Sequence, residues 1–317
     1  MSTPKTCVAE SDPDGMPVQV RSLNKLFGTR AAVAGLTLAV GSGSIVGLVG
    51  SNGGGKTTAL RMLAGLLPID GGEGRILGHD LKRRRCEIRE RVGYMAQQSS
   101  LYVDLSVREN LRFRAEVYAV GGAAAATKAV MEQFELTPLA TRCVGELSGG
   151  WARQVQLAGA VMHAPRVLIL DEPTTGLDIA AREAVWRQIV RLAVAGTAVI
   201  LSTHDLADAA RCSQIAFLTQ GVVRATGTPE EVARTTAASV VAVRGARVLS
   251  LAESLRRMRG VQGSYPHGGT LRVLVEPQAA EYLRASTLLR GCDLHPVPPT
   301  LEDVMFEWTL ADRAALQ

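Results

Sequence analysis

The chain has 317 residues, of which 47% are hydrophobic and 21% charged, and its formal net charge at pH 7 is +5. This length suffices for one large domain and a small one. No apolar run approaches the roughly 20 residues that cross a bilayer, so we expect a cytosolic chain that reaches a membrane only through a partner. Residues 1–17 are polar and lack the apolar core of a signal peptide, which predicts a disordered leader.

Cysteine spacing and one basic run complete the compositional picture. Five cysteines lie far apart without a C-x-x-C pair, so we expect reduced thiols rather than a disulfide framework or a metal site. The densest basic run is Lys82-Arg83-Arg84-Arg85. A nucleic-acid patch, an approach to anionic lipid headgroups and a solvated surface all fit such a run. Its shortness and its lack of interleaved aromatic residues favour the solvated surface.

Residues 18–235 alternate short apolar runs with helical patterns, which is typical of a layered α/β domain with a mainly parallel core sheet. The pattern predicts a strand at Ile45–Val49, a glycine-rich loop, and a helix over Thr57–Leu67. The apolar runs at Val167–Leu170 and Thr197–Leu201 are short and rich in β-branched residues, as buried parallel strands are.

The segment at about residues 99–160 has a helical pattern. Ser106-Val107-Arg108-Glu109 is a capping box, which predicts a helix that continues to Val117. Gly121-Gly122 interrupts the pattern, and Ala123–Phe134 is predicted to form a second helix.

Residues 238–312 have the pattern of a compact αβ accessory domain. A proline-rich breaker at Pro296–Pro299 precedes the last predicted element. The predicted elements are a strand at Val240–Val243, a helix opened by a capping box at Ser250–Glu253, a strand over Leu271–Val275, and helices over Gln278–Leu289 and Leu301–Leu310.

The loop after the first core strand fits G-x-x-x-x-G-K-[ST]. Its glycines let the backbone approach phosphates, and the helix N-terminus adds partial positive charge. Lys56 would place a charge near the β- and γ-phosphates, and the Thr57 hydroxyl would ligate Mg²⁺. The strand before this loop argues against a chance glycine-rich turn. The predicted nucleotide-binding residues are Gly50, Ser51, Asn52, Gly53, Gly54, Gly55, Lys56, Thr57 and Thr58.

A second sequence motif reduces the number of protein families that fit. Leu147-Ser148-Gly149-Gly150 precedes the strand Val167–Leu170, which ends in Asp171-Glu172. Together with the phosphate loop, this combination resembles the ATP-binding subunit of an ABC transporter. The resemblance implies a P-loop NTPase ABC ATPase domain with a mainly parallel core sheet, an antiparallel β subdomain and a helical subdomain, and it implies ATP and Mg²⁺ as ligands.

The acidic pair at the end of this strand has the positions that the family uses for catalysis. Asp171 would hold Mg²⁺ through water, and Glu172 would polarise the attacking water. An isolated acidic pair often only caps a strand. Here Pro173–Asp178 follows and resembles the D-loop region, with Asp178 as its aspartate. His204 stands where the family places the switch histidine that contacts the γ-phosphate.

Two further residues are assigned by the same resemblance. Gln97 resembles the Q-loop glutamine, which touches the metal and the water, and whose loop borders the surface that receives the transporter's coupling helix. The family usually has proline at Ala96, so we expect a more flexible loop here. Phe27 resembles the aromatic residue that stacks on adenine, and an ordinary core phenylalanine is the alternative.

Ser148, Gly149 and Gly150 resemble the ABC signature, which in the family faces the γ-phosphate bound by the other subunit. If Lys56 and Ser148 contact the same ATP, they come from different subunits. The resemblance therefore implies a head-to-tail dimer, formed by two copies or with a paralogous ATPase. Trp151 follows the glycines where glutamine is usual, as in some export-type members.

The C-terminal segment Pro299–Met305 resembles the P-[ST]-L-E-D-V-F tail of ATPases that serve ABC-2 type exporters, the group that includes the daunorubicin-resistance-like drug efflux ATPases. Met305 replaces the usual aromatic residue. The resemblance implies export of drugs, lipids or other hydrophobic compounds. It also implies separate membrane-embedded permease subunits, a peripheral position at the cytoplasmic face of the inner membrane, and no nucleic-acid partner.

Two other functions remain open at this point. A soluble ABC protein that acts on ribosomes or DNA is the first, although such proteins usually carry two nucleotide domains or long coiled coils, and this sequence shows neither. An import ATPase is the second, since it shares the same nucleotide-binding core.

Overall fold

A computed structural model describes residues 16–314, apart from the side chains of Ala280, Arg284 and residues 311–314. Most of the predicted leader, residues 1–15, lies outside the described residues. The chain divides into two compact units between Thr226 and Gly227. The predicted domain limits, 18–235 and 238–312, stay predictions.

The first unit is built on a ten-stranded sheet. Its strands are β1 (Val18–Phe27), β2 (Arg30–Val40), β3 (Ile45–Val49), β4 (Gly71–Ile76), β5 (His79–Asp80), β6 (Val92–Met95), β7 (Val167–Asp171), β8 (Ala198–Thr203), β9 (Gln214–Thr219) and β10 (Val222–Gly227). The spatial order is β5-β4-β1-β2-β10-β9-β3-β8-β7-β6. Strands β6, β7, β8, β3 and β9 pair in parallel, whereas β1 pairs antiparallel with β2 and β4. The predicted combination of a parallel core with an antiparallel part is confirmed.

The helices of the first unit are α1 (Lys56–Leu63), α2 (Arg85–Arg91), α3 (Val107–Val117), α4 (Ala123–Gln133), α5 (Gly149–Ala160), α6 (Ile179–Val194) and α7 (Leu206–Ala209). Helix α1 follows β3 after the phosphate loop, packs against β2, β7 and β8, and buries Leu60 and Leu63 completely. It ends four residues before the predicted Leu67, because the chain turns at Gly65, whose φ of +68° favours glycine.

The helical segment of this unit agrees with the capping signals of the sequence. Ser106 accepts a hydrogen bond from the Glu109 amide, and the Glu109 carboxylate accepts one from the Ser106 amide, so the predicted capping box opens α3. Helix α4 begins after Gly122. Helix α3 packs on α4 and on α5, which carries the Gly149-Gly150 end of the signature segment.

The second unit is a four-stranded antiparallel sheet with helices on both faces. Its strands are β11 (Ser239–Arg244), β12 (Val261–His267), β13 (Thr270–Val275) and β14 (Asp293–Pro296), in the order β12-β13-β11-β14. Its helices are α8 (Pro229–Ala233), α9 (Ala252–Arg256), α10 (Ala280–Ala285) and α11 (Leu301–Ala314). One face packs Val241, Val273 and Leu255 together, and the other packs Val240, Leu274 and Phe306.

Two sequence predictions in this unit were wrong. Ser250 does not cap a helix, because the chain enters α9 through a 3₁₀ turn at Val248–Leu251 and the Ser250 hydroxyl donates to the Arg247 carbonyl at 2.7 Å. The predicted helix at Gln278–Leu289 is interrupted at Ser286, whose ψ of 129° is extended. The predicted closing helix is present and extends to Ala314.

The tail motif joins α11 to the sheet through one buried carboxylate. Asp303 is completely buried and accepts hydrogen bonds from Arg272 Nε at 2.9 Å, Tyr265 Oη at 2.7 Å and the Thr300 amide at 2.7 Å. Burial alone would raise the pKa of Asp303, but the bonds from Arg272, Tyr265 and Thr300 outweigh it and hold that pKa below its usual range. The Asp303 carboxylate is therefore ionised in the folded unit.

Candidate functional site

A cleft of about 570 Å³ opens beside the phosphate loop. It collects predicted site residues from β1, α1, the loop after β6 and the end of β7. Arg30, Ala31, Ala32, Gln220 and Gly221 also line it, although no sequence pattern pointed to them. The predicted residues that line the cleft are Phe27, Asn52, Gly53, Gly54, Gly55, Lys56, Thr57, Thr58, Gln97 and Glu172.

The phosphate loop is held close to the β-sheet, and two of its glycines have no room for a side chain. A Cβ on Gly50 would collide with the Leu218 carbonyl, and one on Gly55 would collide with the Ala32 carbonyl. Gly55 also has a φ of +97°. This close approach leaves the loop's amides beside the N-terminus of α1, which suits an anionic ligand.

Lys56 lies at the start of α1 with its ammonium turned toward the phosphate loop and the Glu172 carboxylate. Its Nζ donates to the carbonyls of Gly50 at 2.8 Å and Ser51 at 3.1 Å, and it lies 3.4 Å from Glu172 Oε1. Burial lowers the pKa of Lys56, although the charges of Glu172 and Asp171 act in the opposite direction. The ammonium is therefore enclosed by acceptors at the base of the cleft.

Thr57 and Asp171 bring together a hydroxyl and a carboxylate, two oxygen groups of the kind that Mg²⁺ prefers. Thr57 Oγ1 donates to Asp171 Oδ1 at 3.1 Å, and Ser202 Oγ donates to the same oxygen at 2.6 Å. Within residues 16–314, no group of three or more His, Cys, Asp or Glu side chains could hold a metal ion. A single carboxylate with a hydroxyl fits Mg²⁺ bound mainly by substrate phosphates and water, because that ion rarely uses an all-protein cage.

Glu172 is held on both its backbone and its carboxylate. Its φ is +48°, which is unusual for a residue with a side chain, and its amide donates to Ser202 Oγ at 2.9 Å. The carboxylate oxygen Oε2 accepts from Thr175 Oγ1 at 2.6 Å and lies 2.8 Å from His204 Nδ1. Burial raises the pKa of Glu172, but the Thr175 bond and the neighbouring Lys56 and His204 outweigh it and hold that pKa below its ordinary value.

Gln97 and Phe27 both line the cleft. Gln97 is exposed in the loop after β6. Phe27 is 54% exposed at the end of β1, so it is not a core residue. The ammonium of Lys25 lies 5.6 Å from the centroid of the Phe27 ring and also pairs with Asp70 at 2.9 Å.

The signature residues Ser148, Gly149 and Gly150 are all described, and they do not line the cleft that holds Lys56. Ser148 is exposed at the N-cap of α5, yet within residues 16–314 its hydroxyl forms no capping hydrogen bond. Asp178, by contrast, caps α6 by accepting from the Ala181 amide at 2.8 Å.

Asp208 is a buried residue that sequence patterns did not single out. On α7, four residues after His204, it accepts hydrogen bonds from Thr174, from Arg182 Nε at 2.9 Å and from Trp186 Nε1 at 2.6 Å. One carboxylate thus connects the loop after β7, helix α6 and the turn after β8. Its position just after His204 was the only local indication in the sequence.

Comparisons with known proteins agree with this geometry. The family described as ABC transporter matches residues 33–175. The daunorubicin resistance ATP-binding protein DrrA2 of Streptomyces coeruleorubidus is 40% identical over 220 residues, which is 68% of each chain. Nod factor export ATP-binding protein I of Paraburkholderia xenovorans (strain LB400) is 34% identical over 298 residues, which covers 92% of this chain and 96% of that protein.

A solved structure described as the ATP-binding subunit of an ABC transporter superposes with a TM-score of 0.62 at 28% identity, covering 68% of this chain and 92% of its own. None of the helices described for residues 16–314 is both long and apolar enough to cross a bilayer. The family match lies within the first unit, and the Nod factor relative matches almost the full chain. The chain therefore belongs to the ABC transporter family, as an ATP-binding subunit of its ABC-2 type exporter group.

Proposed function

We propose that this chain binds ATP and Mg²⁺ in the cleft beside the phosphate loop and hydrolyses the ATP to drive export. The observation that supports this best is the Glu172 carboxylate, which lies 2.8 Å from His204 Nδ1 and 3.4 Å from Lys56 Nζ. An ammonium suited to bind phosphate, a carboxylate suited to act as a base and a histidine in contact with that carboxylate thus lie close together, which supports the proposal.

Each residue has a distinct role in this proposal. Lys56 and the amides of the phosphate loop bind the β- and γ-phosphates. Glu172, ionised because its pKa is depressed, accepts the proton of the attacking water, and His204 fixes its carboxylate. Thr57, Asp171 and Gln97 would hold Mg²⁺, directly or through water. When bound, Mg²⁺ neutralises charge on the phosphate oxygens.

The working unit in this proposal is a head-to-tail dimer at the cytoplasmic face of a membrane, attached to separate permease subunits. The exposed Ser148 hydroxyl, which does not cap its own helix, supports a contact with ATP bound by a second chain. The names of the two relatives, a drug resistance protein and an export protein, support an exporter that moves a drug-like, lipid-like or other hydrophobic compound.

The ATPase assignment is tested with the purified full chain. We expect phosphate release that needs both ATP and Mg²⁺, that stops on chelation by EDTA, and that is lost in Lys56→Ala together with tight ATP binding. Arg187→Ala, an exposed change on α6, serves as the matched control. Equal phosphate release by Lys56→Ala and the wild-type chain would overturn the assignment of the cleft.

The permease partner is tested by capture from solubilised native membranes with ATP and Mg²⁺. We expect Glu172→Gln to retain a multi-span membrane protein in fixed ratio, and Lys56→Ala to retain less of it, because only the former keeps ATP between two chains. A dimer that carries ribosomal protein or nucleic acid and no membrane chain would contradict the exporter proposal.

A further inference from the structure

Arg153 is a charged residue that the proposed chemistry does not use, yet its guanidinium is bound on almost every side. It lies on α5, one turn after the signature glycines. Its Nη1 donates to the Gln97 carbonyl at 2.8 Å, its Nη2 to the Glu172 carbonyl at 2.5 Å, and its Nε to the Pro173 carbonyl at 3.0 Å. A single planar fork thus connects the loop after β6 with the end of β7.

Gln156 lies one turn further along α5 and completes this network. Its Oε1 accepts from Arg153 Nη1 at 3.0 Å, and its Nε2 donates to the carbonyls of Ala96 at 2.9 Å and Gln98 at 3.1 Å. Gln156 is buried, so both of its amide hydrogens and its oxygen have partners. Three successive carbonyls, from residues 96 to 98, are therefore bound by side chains of one helix.

The network binds a strained part of the backbone at Glu172. Its φ of +48° places a non-glycine residue in the left-handed region, a strained conformation that persists only where surrounding contacts fix it. Ser202 Oγ fixes the amide of Glu172, and Arg153 fixes its carbonyl and the next one. The direction of the Glu172 side chain depends on this turn.

We propose that Arg153 is a positioning residue which, with Gln156, keeps the Gln97 loop and the Glu172 turn in the mutual arrangement that hydrolysis requires. The network also ties both to α5, whose N-terminus carries the signature. This inference rests on the proposed roles of Gln97 and Glu172. The bonds from Arg153 and Gln156 support the Ala96–Gln98 loop, in which Ala96 stands where the family usually has proline.

The test compares Arg153→Lys with Arg187→Lys, a matched change at an exposed arginine of α6, in the full chain with ATP and Mg²⁺. Lysine keeps the charge but has no planar fork, so it cannot bind three carbonyls in this geometry. We expect kcat to fall by about 10- to 100-fold, the loss that a misplacement of about 1 Å brings, while the Kd for ATP stays within about twofold. Arg187→Lys should match the wild type in both.

A second variant tests the same network from the other side. Gln156→Leu keeps the volume of the side chain but removes the bonds to Ala96 and Gln98. We expect kcat to fall without a change in Kd for ATP. The double variant with Arg153→Lys should be no slower than Arg153→Lys alone, because both changes break one network. Multiplicative losses would show two independent sites and overturn the proposal.

Two outcomes separate this inference from the proposed function. If Glu172→Gln abolishes hydrolysis while Arg153→Lys and Gln156→Leu keep wild-type kcat, the network has no positioning role and only the inference fails. If Glu172→Gln hydrolyses ATP normally, the base assignment fails first. If Gln156→Leu weakens ATP binding, lowers kcat and lowers the melting temperature together, Gln156 only stabilises the fold in general. That result would also overturn the inference.

Discussion

The Nδ1 atom of His204 lies 2.8 Å from the Oε2 atom of Glu172, although the two residues directly follow different strands, β8 and β7. The Oε1 atom of the same carboxylate lies 3.4 Å from Lys56 Nζ. Glu172 is therefore held between a histidine and an ammonium, and the Thr175 hydrogen bond together with these two neighbours keeps the pKa of Glu172 low in spite of burial. This arrangement keeps the Glu172 carboxylate ionised at neutral pH and fixes its direction, as the proposed base requires.

Replacing Glu172 by glutamine should separate ATP binding from hydrolysis. The amide keeps the size of the side chain but cannot accept a proton, so we expect hydrolysis to fall by at least about 100-fold. ATP binding should remain, because Lys56 and the phosphate loop are unchanged. Fluorescent-nucleotide titration and phosphate release measure the two quantities. Wild-type hydrolysis by Glu172→Gln would show that another group is the base.

Mixing two inactive variants should restore activity if each site is shared between two chains. Lys56→Ala damages the phosphate loop of one protein, and Ser148→Arg damages the signature of the other. A mixed dimer contains one site with an intact Lys56 and an intact Ser148, so we expect turnover to reappear when the two proteins are mixed. Each variant alone supplies the baseline. A mixture as inactive as its parts, with dimers confirmed by light scattering, would contradict the shared site.

Phe27 should contribute to ATP affinity more than to the chemical step. Its ring is 54% exposed at the cleft, and stacking on a base is typically worth about 1–3 kcal/mol. We expect Phe27→Ala to weaken ATP binding by about 5- to 100-fold with little change in kcat, and Phe27→Trp to retain it. Leu26→Ala, next to it and also exposed, is the control. Unchanged affinity in Phe27→Ala would remove stacking from the proposal.

The second unit should depend on Asp303. Its carboxylate is fully buried and pairs with Arg272, so Asp303→Asn leaves an uncompensated guanidinium in the interior. We expect a loss of about 3–5 kcal/mol in the free energy of unfolding. Calorimetry of the full chain measures the loss, and Glu302→Gln, an exposed neighbouring change, should have almost no effect. Equal stability of both variants would show that the tail motif does not anchor α11.

The same carboxylate predicts the acid sensitivity of the second unit. Since the pKa of Asp303 is lower in the folded chain than the unfolded value of about 3.9, its contribution is complete above that value. The contribution is lost as the pH falls through the folded pKa, because the unfolded state takes up the proton first. The wild-type chain should therefore lose stability below about pH 4 more steeply than Asp303→Asn. Parallel acid-unfolding curves would contradict this.

Local patterns sufficed for the elements that carry chemistry. The apolar runs before Lys56 and Asp171 predicted β3 and β7, because buried parallel strands need continuous apolar residues. Capping residues predicted the start of α3. The helix predicted after Pro277 was interrupted, because Ser286 adopts an extended conformation that no composition signal marks.

The contacts that organise the site were not accessible from the sequence. Arg153 donates a hydrogen bond to a carbonyl 56 residues away, and Asp208 accepts one from the Trp186 indole, 22 residues away. Backbone carbonyls accept these bonds from Arg153, and every residue has such a carbonyl, so no residue type in the Gln97 loop indicates that Arg153 binds there. The left-handed turn at Glu172 also has no signature, since glycine or asparagine is the usual residue for such a φ.

Ser148 has a further consequence for how the protein behaves on dilution. A serine at an N-cap usually satisfies a free amide of its own helix, and here the hydroxyl does not. If that hydroxyl finds its partner only on ATP held by another chain, turnover is second order in free protein at low concentration. In the proposed complex, a permease that held two chains side by side would replace bulk concentration with a fixed effective concentration, so the membrane subunit would set the rate of turnover.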